Sequence, residues 1–174
     1  MLRAPLMRLL RRRAQIITLF VVFVVAMGVA QAARAAEDTL WATVNVCDTE
    51  AHPDTIGIRA SMPGSRSGHE VRWMRFVVEY FSKPDDRWYR LSDGGDSGWL
   101  RVGKGRRPRQ FGRSLRIEPP DGGRVLLRGR VFFQWRTESG DVLQRASRRT
   151  RRGHRSDAGD DPRGYSAETC AITG

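Results

Sequence analysis

Histidine and cysteine, the two residue types that most often bind transition metals, are scarce in this sequence. Its 174 residues include three histidines and two cysteines. The histidines, His52, His69 and His154, are far apart and show no ligand spacing with one another or with the cysteines. We therefore expect no metal site and no cofactor.

Helical periodicity is nearly absent as well, and no segment could form the crossover helix that a parallel sheet requires. Apolar and polar residues instead alternate, which is typical of half-buried β-strands. The predicted strands, about eight in number, cover residues 40–46, 56–62, 71–81, 87–91, 99–102, 114–118, 125–135 and 142–149. This pattern predicts an all-β domain of two packed antiparallel sheets, crossed by an irregular polar strap at residues 150–174.

The N-terminal 35 residues have the composition of a secretory signal. Positions 1–15 hold five arginines and no acidic residue, an apolar run covers residues 16–30, and small residues follow at 30–35. We therefore predict a signal peptide at 1–35 and a single extracytoplasmic domain at 36–174. The alternative is that the apolar run stays uncleaved as an anchor, and only then do we expect a membrane contact.

The two cysteines, Cys47 and Cys170, lie near the two ends of the predicted domain. In an oxidising compartment an isolated pair most simply forms one disulfide, with two free thiols as the alternative. We predict that this bridge ties the first strand to the C-terminal strap.

Lysine is scarce too, since Lys83 and Lys104 are the only two, and arginine carries nearly all the positive charge. Six of the 31 basic residues lie in the predicted signal, but all 19 acidic residues follow it. Residues 36–174 therefore carry a net charge of +6, half the +12 of the whole chain. Because half of the net positive charge belongs to the predicted signal, the charge of the domain argues against a nucleic-acid partner.

Two arginine-rich segments are candidates for binding anions, because guanidinium groups suit phosphate and carboxylate oxygens. Their target would be an anionic polymer of the cell envelope. The alternatives are two solvated loops, or salt bridges to the acidic residues 157, 160 and 161, which we interpret as a solvated segment. The candidate residues are Lys104, Arg106, Arg107 and Arg109 in a loop at 104–110, and Arg148, Arg149, Arg151 and Arg152 further on.

Aromatic residues suggest a second kind of binding surface. Alternation places Trp41, Trp73 and Phe132 on the outward faces of their strands, with Arg75 and Arg130 at alternating positions. Such a face would suit sugar stacking or a protein partner. The alternative is that a loop or the C-terminal strap covers these rings.

The segment Gly95-Asp96-Ser97-Gly98 matches the four residues around the nucleophile of trypsin-like serine proteases. That mechanism needs a histidine base oriented by a buried aspartate, and neither histidine that precedes Ser97 has the expected context. The chain is also too short for a double barrel. We therefore interpret the segment as a glycine-rich turn and expect no enzymatic activity.

The succession IGIRASM, VRWMRFVVEYF, SGWLRV, SLRIEPPDGG and RVFFQWR resembles an immunoglobulin or fibronectin type III sandwich over residues 39–150. It departs from that family in lacking the corner tyrosine and in placing no cysteine on the central strands. The whole chain resembles exported proteins of high-GC Gram-positive bacteria, which implies a compartment and no activity. We therefore expect a non-enzymatic binding or structural module, whose partner is an anionic envelope polymer or, alternatively, another exported protein that it inhibits or assists.

Overall fold

Strands form wherever apolar and polar residues alternate in the sequence. The computed structural model describes residues 39–119, 122–156 and 158–174, so the predicted signal at 1–35 lies outside the described residues. Nine strands lie within the described ranges. They are β1 (Trp41–Thr49), β2 (His52–Met62), β3 (Val71–Ser82), β4 (Arg87–Arg90), β5 (Leu100–Gly103), β6 (Arg109–Arg116), β7 (Arg124–Arg136), β8 (Val142–Arg149) and β9 (Thr169–Thr173).

The strands form two antiparallel sheets. The three-stranded sheet has the order β1-β2-β6. The six-stranded sheet is built around β3 and β7, with β4 and β5 on the other edge of β3 and β8 and β9 on the other edge of β7. The predicted all-β, immunoglobulin-like sandwich is therefore confirmed.

The strand boundary that differs most from the prediction is the start of β6. The third strand of the smaller sheet begins at Arg109 rather than at 114, because its backbone pairs with β2 from Met62↔Arg109 onward. The side chains of residues 109–114 are exposed, so no alternation of apolar and polar residues indicated a strand there. Arg109 thus belongs to a strand and not to the predicted loop.

The C-terminal segment also contains a strand, which corrects the irregular strap predicted for residues 150–174. β8 pairs with β7 at residues 130–136 and leaves the edge of β7 at residues 124–128 open. β9 fills that edge, pairing from Arg124↔Thr173 to Arg128↔Thr169. Its alternate residues Cys170 and Ile172 enter the core, which supplies the apolar contacts that hold the strand there.

The core lies between the inner faces of the two sheets. Alternate positions of β2, β3 and β7 are fully or nearly fully buried, among them Ile58, Phe76 and Phe133. Gly129 marks the closest approach between the sheets, since a Cβ atom there would lie 2.7 Å from Ile58 Cδ1 and from Thr150 Cγ2. Packing, rather than backbone conformation, therefore requires glycine at this position of β7.

A disulfide joins Cys47 of β1 to Cys170 of β9, with the two Cα atoms 5.4 Å apart. This confirms the predicted pairing and indicates folding in an oxidising compartment. Because β1 and β9 belong to different sheets, the bridge is an inter-sheet crosslink rather than a link to an irregular strap. Across the described ranges, no helix has the length and apolar character needed to cross a membrane.

Replacing both cysteines by alanine should lower the free energy of unfolding by about 4 to 5 kcal/mol, because the open chain regains the conformational entropy lost in a long loop. The two residues are 123 positions apart in sequence. Urea denaturation of the variant would measure the loss, and reduced wild-type protein should show the same value. A loss below about 1 kcal/mol would contradict this entropic role.

Candidate functional site

The outer surface of the six-stranded sheet collects most of the arginines that strands contribute. Residues directly opposite each other in an antiparallel ladder place their side chains on the same face. Arg75 lies opposite Phe132, and Trp73 lies between Arg101 and Gln134, on the side of β3 that points away from the core. We call this surface the arginine face. Its nine arginines are Arg75, Arg90, Arg101, Arg124, Arg128, Arg130, Arg136, Arg145 and Arg149.

The arginine face concentrates the positive charge of the domain. Only two carboxylates of the described residues join it, Glu79 opposite Arg128 and Asp96 opposite Val77. Its surplus of seven positive charges therefore accounts for all of the net charge of +6 of residues 36–174. The remaining residues of 36–174 have one more acidic than basic side chain. A field of one sign on one face is the arrangement that attracts an oppositely charged ligand.

Aromatic rings on this face support arginines. The guanidinium of Arg136 lies 4.5 Å from the ring centre of Trp73 and 5.1 Å from that of Trp99. Arg128 stacks on Trp88 at 4.1 Å, and Arg130 on Phe132 at 5.2 Å. Each of these rings therefore has an arginine over it and is not an open platform. Stacking holds a guanidinium plane in place, and Arg136 also donates from Nε to Gln134 at 2.8 Å, which leaves its terminal N–H groups as the donors for an anion.

The two carboxylates fix further arginines. Asp96 accepts hydrogen bonds from Arg75, whose Nε lies 2.9 Å away, and from Arg90. Glu79 accepts a 2.7 Å hydrogen bond from Arg128 and lies 3.5 Å from Arg130. These pairs order the middle of the face. They do not neutralise it, because each carboxylate is shared by two guanidinium groups.

Four arginines of the face are exposed and have no ion pair or side-chain hydrogen bond within the described residues. They are Arg101 on β5, Arg124 on β7, and Arg145 and Arg149 on β8. Sequence reasoning identified Arg149 only as part of a cluster and missed the other three. Alternation along β7 and β8 could have suggested them, but only the cross-strand register shows that they share a face with Arg75 and Arg130.

The first predicted basic segment forms an ordered connection between β5 and β6. The buried side chain of Arg72 donates hydrogen bonds to the carbonyl oxygens of Lys104 at 2.7 Å and Arg107 at 2.8 Å. Lys104 forms an ion pair with Glu138, and Arg109 donates to the carbonyl of Val102. Arg106 and Arg107 are the two exposed cations of this segment whose side chains have neither an ion pair nor a hydrogen bond with the described residues.

The second predicted segment is divided between the two faces of β8 and the chain that follows this strand. Arg148 donates a 3.2 Å hydrogen bond to the carbonyl of Leu40, whereas Arg149 lies on the arginine face. Arg151 and Arg152 follow β8 and have exposed side chains. Lys104 lies beside the turn before β8, and Arg149 ends that strand, about 23 Å away at 3.3 Å per residue. The two segments therefore do not form one patch.

Trp41 is separated from the other two predicted aromatic residues because β1 belongs to the three-stranded sheet. Its ring stacks on His154, with ring centres 4.3 Å apart and planes 4° from parallel. Residues 151–156 and 158–167 cover this outer face, where the side chains of Thr43 and Ser166 are hydrogen-bonded at 2.7 Å, and meet the free edge of β1, where Ala167 and Val44 exchange two backbone hydrogen bonds of 3.0 Å. The proposed face of three aromatic residues is thus corrected: Trp73 and Phe132 share a surface, and the C-terminal segment covers Trp41.

A buried ion pair anchors this covering segment. Arg59 of β2 pairs with Asp160, whose side chain is 0% exposed. Arg59 also donates hydrogen bonds to the carbonyls of Ala158 at 3.2 Å and His154 at 2.5 Å. Asp160 is therefore a structural residue and not part of a solvated acidic segment. The cation it needs comes from β2, which no local sequence pattern indicated.

Ser97 and Asp96, the polar residues of the glycine-rich segment, both have structural partners. Ser97 Oγ accepts the N–H of Phe76 at 2.9 Å and donates to the carbonyl of Gly98 at 2.8 Å. Asp96 holds the arginines described above and accepts the N–H of Gly98. These contacts form the turn that attaches this segment to the edge of β3.

No protein-family model matches the chain, and no curated protein is similar to it at a significant level. What the domain binds has to be inferred from the geometry of its surface. The arginine face is the strongest candidate, because it combines exposed guanidinium groups with a scaffold that holds their neighbours in place.

Replacing Asp160 by asparagine should lower the free energy of unfolding by about 3 to 5 kcal/mol, because Arg59 would remain buried without a counter-charge. Urea denaturation would measure the loss. The matched control is Arg116→Ala, which removes the exposed Arg116–Asp54 pair and should cost less than about 1 kcal/mol. Equal losses in the two variants would contradict the anchoring role of Asp160.

The stability of the domain should decrease as pH falls through 6.5, the ordinary pKa of histidine. Burial, with a smaller contribution from the nearby Arg59, lowers the pKa of His154 in the folded protein. The unfolded chain therefore binds a proton at a higher pH than the folded domain, and acid favours unfolding. His154→Phe keeps a ring beside Trp41 and should flatten the pH dependence between pH 5.5 and 7.5. An unchanged slope in thermal denaturation would contradict this assignment.

Proposed function

We propose that residues 36–174 form a non-enzymatic, extracytoplasmic binding domain whose arginine face binds an anionic polymer of the cell envelope. The observation that supports this function is the coincidence of the net positive charge with one outer sheet surface. The disulfide supports the compartment, because a bond of this kind persists in oxidising environments. The predicted signal at residues 1–35 agrees with export.

The dimensions of the face favour a polymer over a small anion. From Arg124 to Arg136 the face extends along β7 for about 40 Å, at 3.3 Å per residue. From Arg101 on β5 to Arg145 on β8 it crosses three strand spacings, or about 14 Å. Charges spread over this area can contact several anionic groups of one chain at the same time.

The chemistry of the face favours phosphate or carboxylate groups. Guanidinium groups bind both through paired N–H donors, and stacking on Trp73, Trp88 and Phe132 reduces the freedom that their arginines lose on binding. The same stacking argues against single-stranded nucleic acid, whose bases bind to open aromatic rings. Sugar rings also bind by stacking on open aromatic rings, and the arginines cover these rings. We therefore expect the face to recognise the anionic groups of the polymer.

A protein partner bound through apolar contacts has less support. The large apolar side chains that are exposed within the described residues, Tyr89, Phe111, Leu126 and Leu143, lie on four different strands. Interfaces of that kind need a contiguous apolar patch.

Replacing Arg101, Arg145 and Arg149 by alanine should weaken binding to poly(glycerol phosphate) or polygalacturonate by about 10- to 100-fold at low salt, at roughly 0.5 to 1 kcal/mol for each exposed ion pair. Titration calorimetry would measure the affinity for both polymers. The wild-type affinity should fall as salt is added, because ions screen exposed charges.

The control is Arg106→Ala, Arg107→Ala and Arg152→Ala, which removes the same charge from exposed positions outside the face. This variant should lose less than about threefold in affinity. Equal losses in the two triple variants would refute a specific face, and tighter binding of a single-stranded DNA of equal charge would refute the ligand class.

A further inference from the structure

β6 is the outer strand of the three-stranded sheet, and one of its edges is open. It pairs with β2 through eight residue pairs, and no strand of the described residues pairs with its other edge. In an antiparallel strand, alternate residues direct their N–H and C=O groups to opposite edges. About half of the backbone groups of β6 therefore point away from β2, toward the position where a further strand would lie.

The open edge is accessible along most of its length. Every side chain from Arg109 to Ser114 is exposed. The end of β6 is more enclosed, because a Cβ atom on Gly94 would lie 3.5 Å from the carbonyl oxygen of Arg116. The accessible edge therefore corresponds to Arg109–Leu115, a length close to that of an ordinary strand.

The basic side chains along this edge favour pairing with an acidic strand over a basic one. Arg109, Arg113 and Arg116 lie on β6, and the sequence from Lys104 to Ile117 has no acidic residue. Pairing of two copies through β6 would bring these arginines together, and like charges across a strand pair destabilise it. An acidic strand would instead gain from the same residues.

Phe111 provides an apolar contact in the middle of the open edge. Its side chain is 37% exposed, and its ring centre lies 6.2 Å from that of Phe76 in the core. A side chain of an added strand could cover the exposed part of this ring. Arg109, Phe111 and Arg113 are two residues apart and share one face of β6, so an added strand with the pattern Glu-x-Val-x-Glu would place its acidic residues beside the arginines and its apolar residue beside Phe111.

We propose that β6 binds an extended acidic peptide segment of another protein, which adds as a fourth strand to the three-stranded sheet. The backbone requirement separates this ligand from the polymer of the arginine face, since only a peptide offers alternating donors and acceptors in register. The site lies on a different sheet from that face, and the proposal does not depend on the function assigned to it.

The direct test uses the synthetic heptapeptide Thr-Glu-Thr-Val-Thr-Glu-Thr, whose Glu, Val and Glu share one face of a strand, with a fluorescent label, and measures its binding by fluorescence anisotropy. The wild-type domain should bind it, and a fully N-methylated peptide with the same charges should bind at least about tenfold more weakly, because methylation removes the N–H donors. Equal affinity for the two peptides would overturn the proposal, since binding would then depend on charge alone.

Protein variants locate the site. Arg113→Glu should reduce the affinity for the peptide by about tenfold or more, whereas Arg107→Glu, with the same charge change in the preceding loop, should reduce it less than threefold. Arg113→Gln is the second variant, with a smaller loss in the same direction, should the charge reversal impair folding. Equal losses at positions 107 and 113 would overturn the proposal.

Hydrogen exchange supplies a readout that charge alone would not change. Peptide binding should slow the exchange of alternate backbone amides of β6, and an unchanged exchange rate there would overturn the proposal. The triple variant Arg101→Ala, Arg145→Ala and Arg149→Ala should bind the peptide within about threefold of wild type. This variant distinguishes a failure of the β6 site from a failure of the arginine face.

Discussion

The ladder between β3 and β7 determines what each surface of the domain presents. Ten consecutive residue pairs, from Val71↔Arg136 to Tyr80↔Leu127, fix the register of these two central strands. Because side chains alternate with a period of two, a slip of one residue would exchange the core positions of one strand for its arginines. The cost of burying those charges protects the register, and the register in turn places Arg75, Arg130 and Phe132 side by side.

The two outer surfaces of the sandwich differ in how far other parts of the chain cover them. Residues 151–156 and 158–167 cover the three-stranded sheet, anchored by the buried Arg59–Asp160 pair. β9 then returns the chain to the other sheet, where Cys170 bonds to Cys47 of β1. The six-stranded sheet has no comparable cover within the described residues. The net positive charge is therefore exposed on the outer surface of the six-stranded sheet. The open edge of β6, on the three-stranded sheet, is a separate surface.

Alternation was enough to predict the fold, because strands such as β3 and β7 carry their apolar residues at every second position. It failed for residues 109–113, whose exposed side chains carry no such signal, and for β9, whose position depends on the edge that β8 leaves open. The candidate site was predicted in part. Trp73 and Phe132 do share a surface, but Trp41 does not, because sheet membership depends on pairing between residues far apart in sequence. The sequence did not indicate that these rings lie beneath arginine side chains, because those contacts depend on where side chains of different strands meet.

The central claim is that the arginine face is where an anionic polymer binds. Titration of the ¹⁵N-labelled domain with poly(glycerol phosphate), followed by NMR of the arginine Nε–H groups, tests it most directly. The claim predicts that the largest shifts occur at Arg101, Arg145 and Arg149 and at the ring-stacked arginines beside them. Shifts confined to Arg106, Arg107, Arg151 and Arg152 would contradict it.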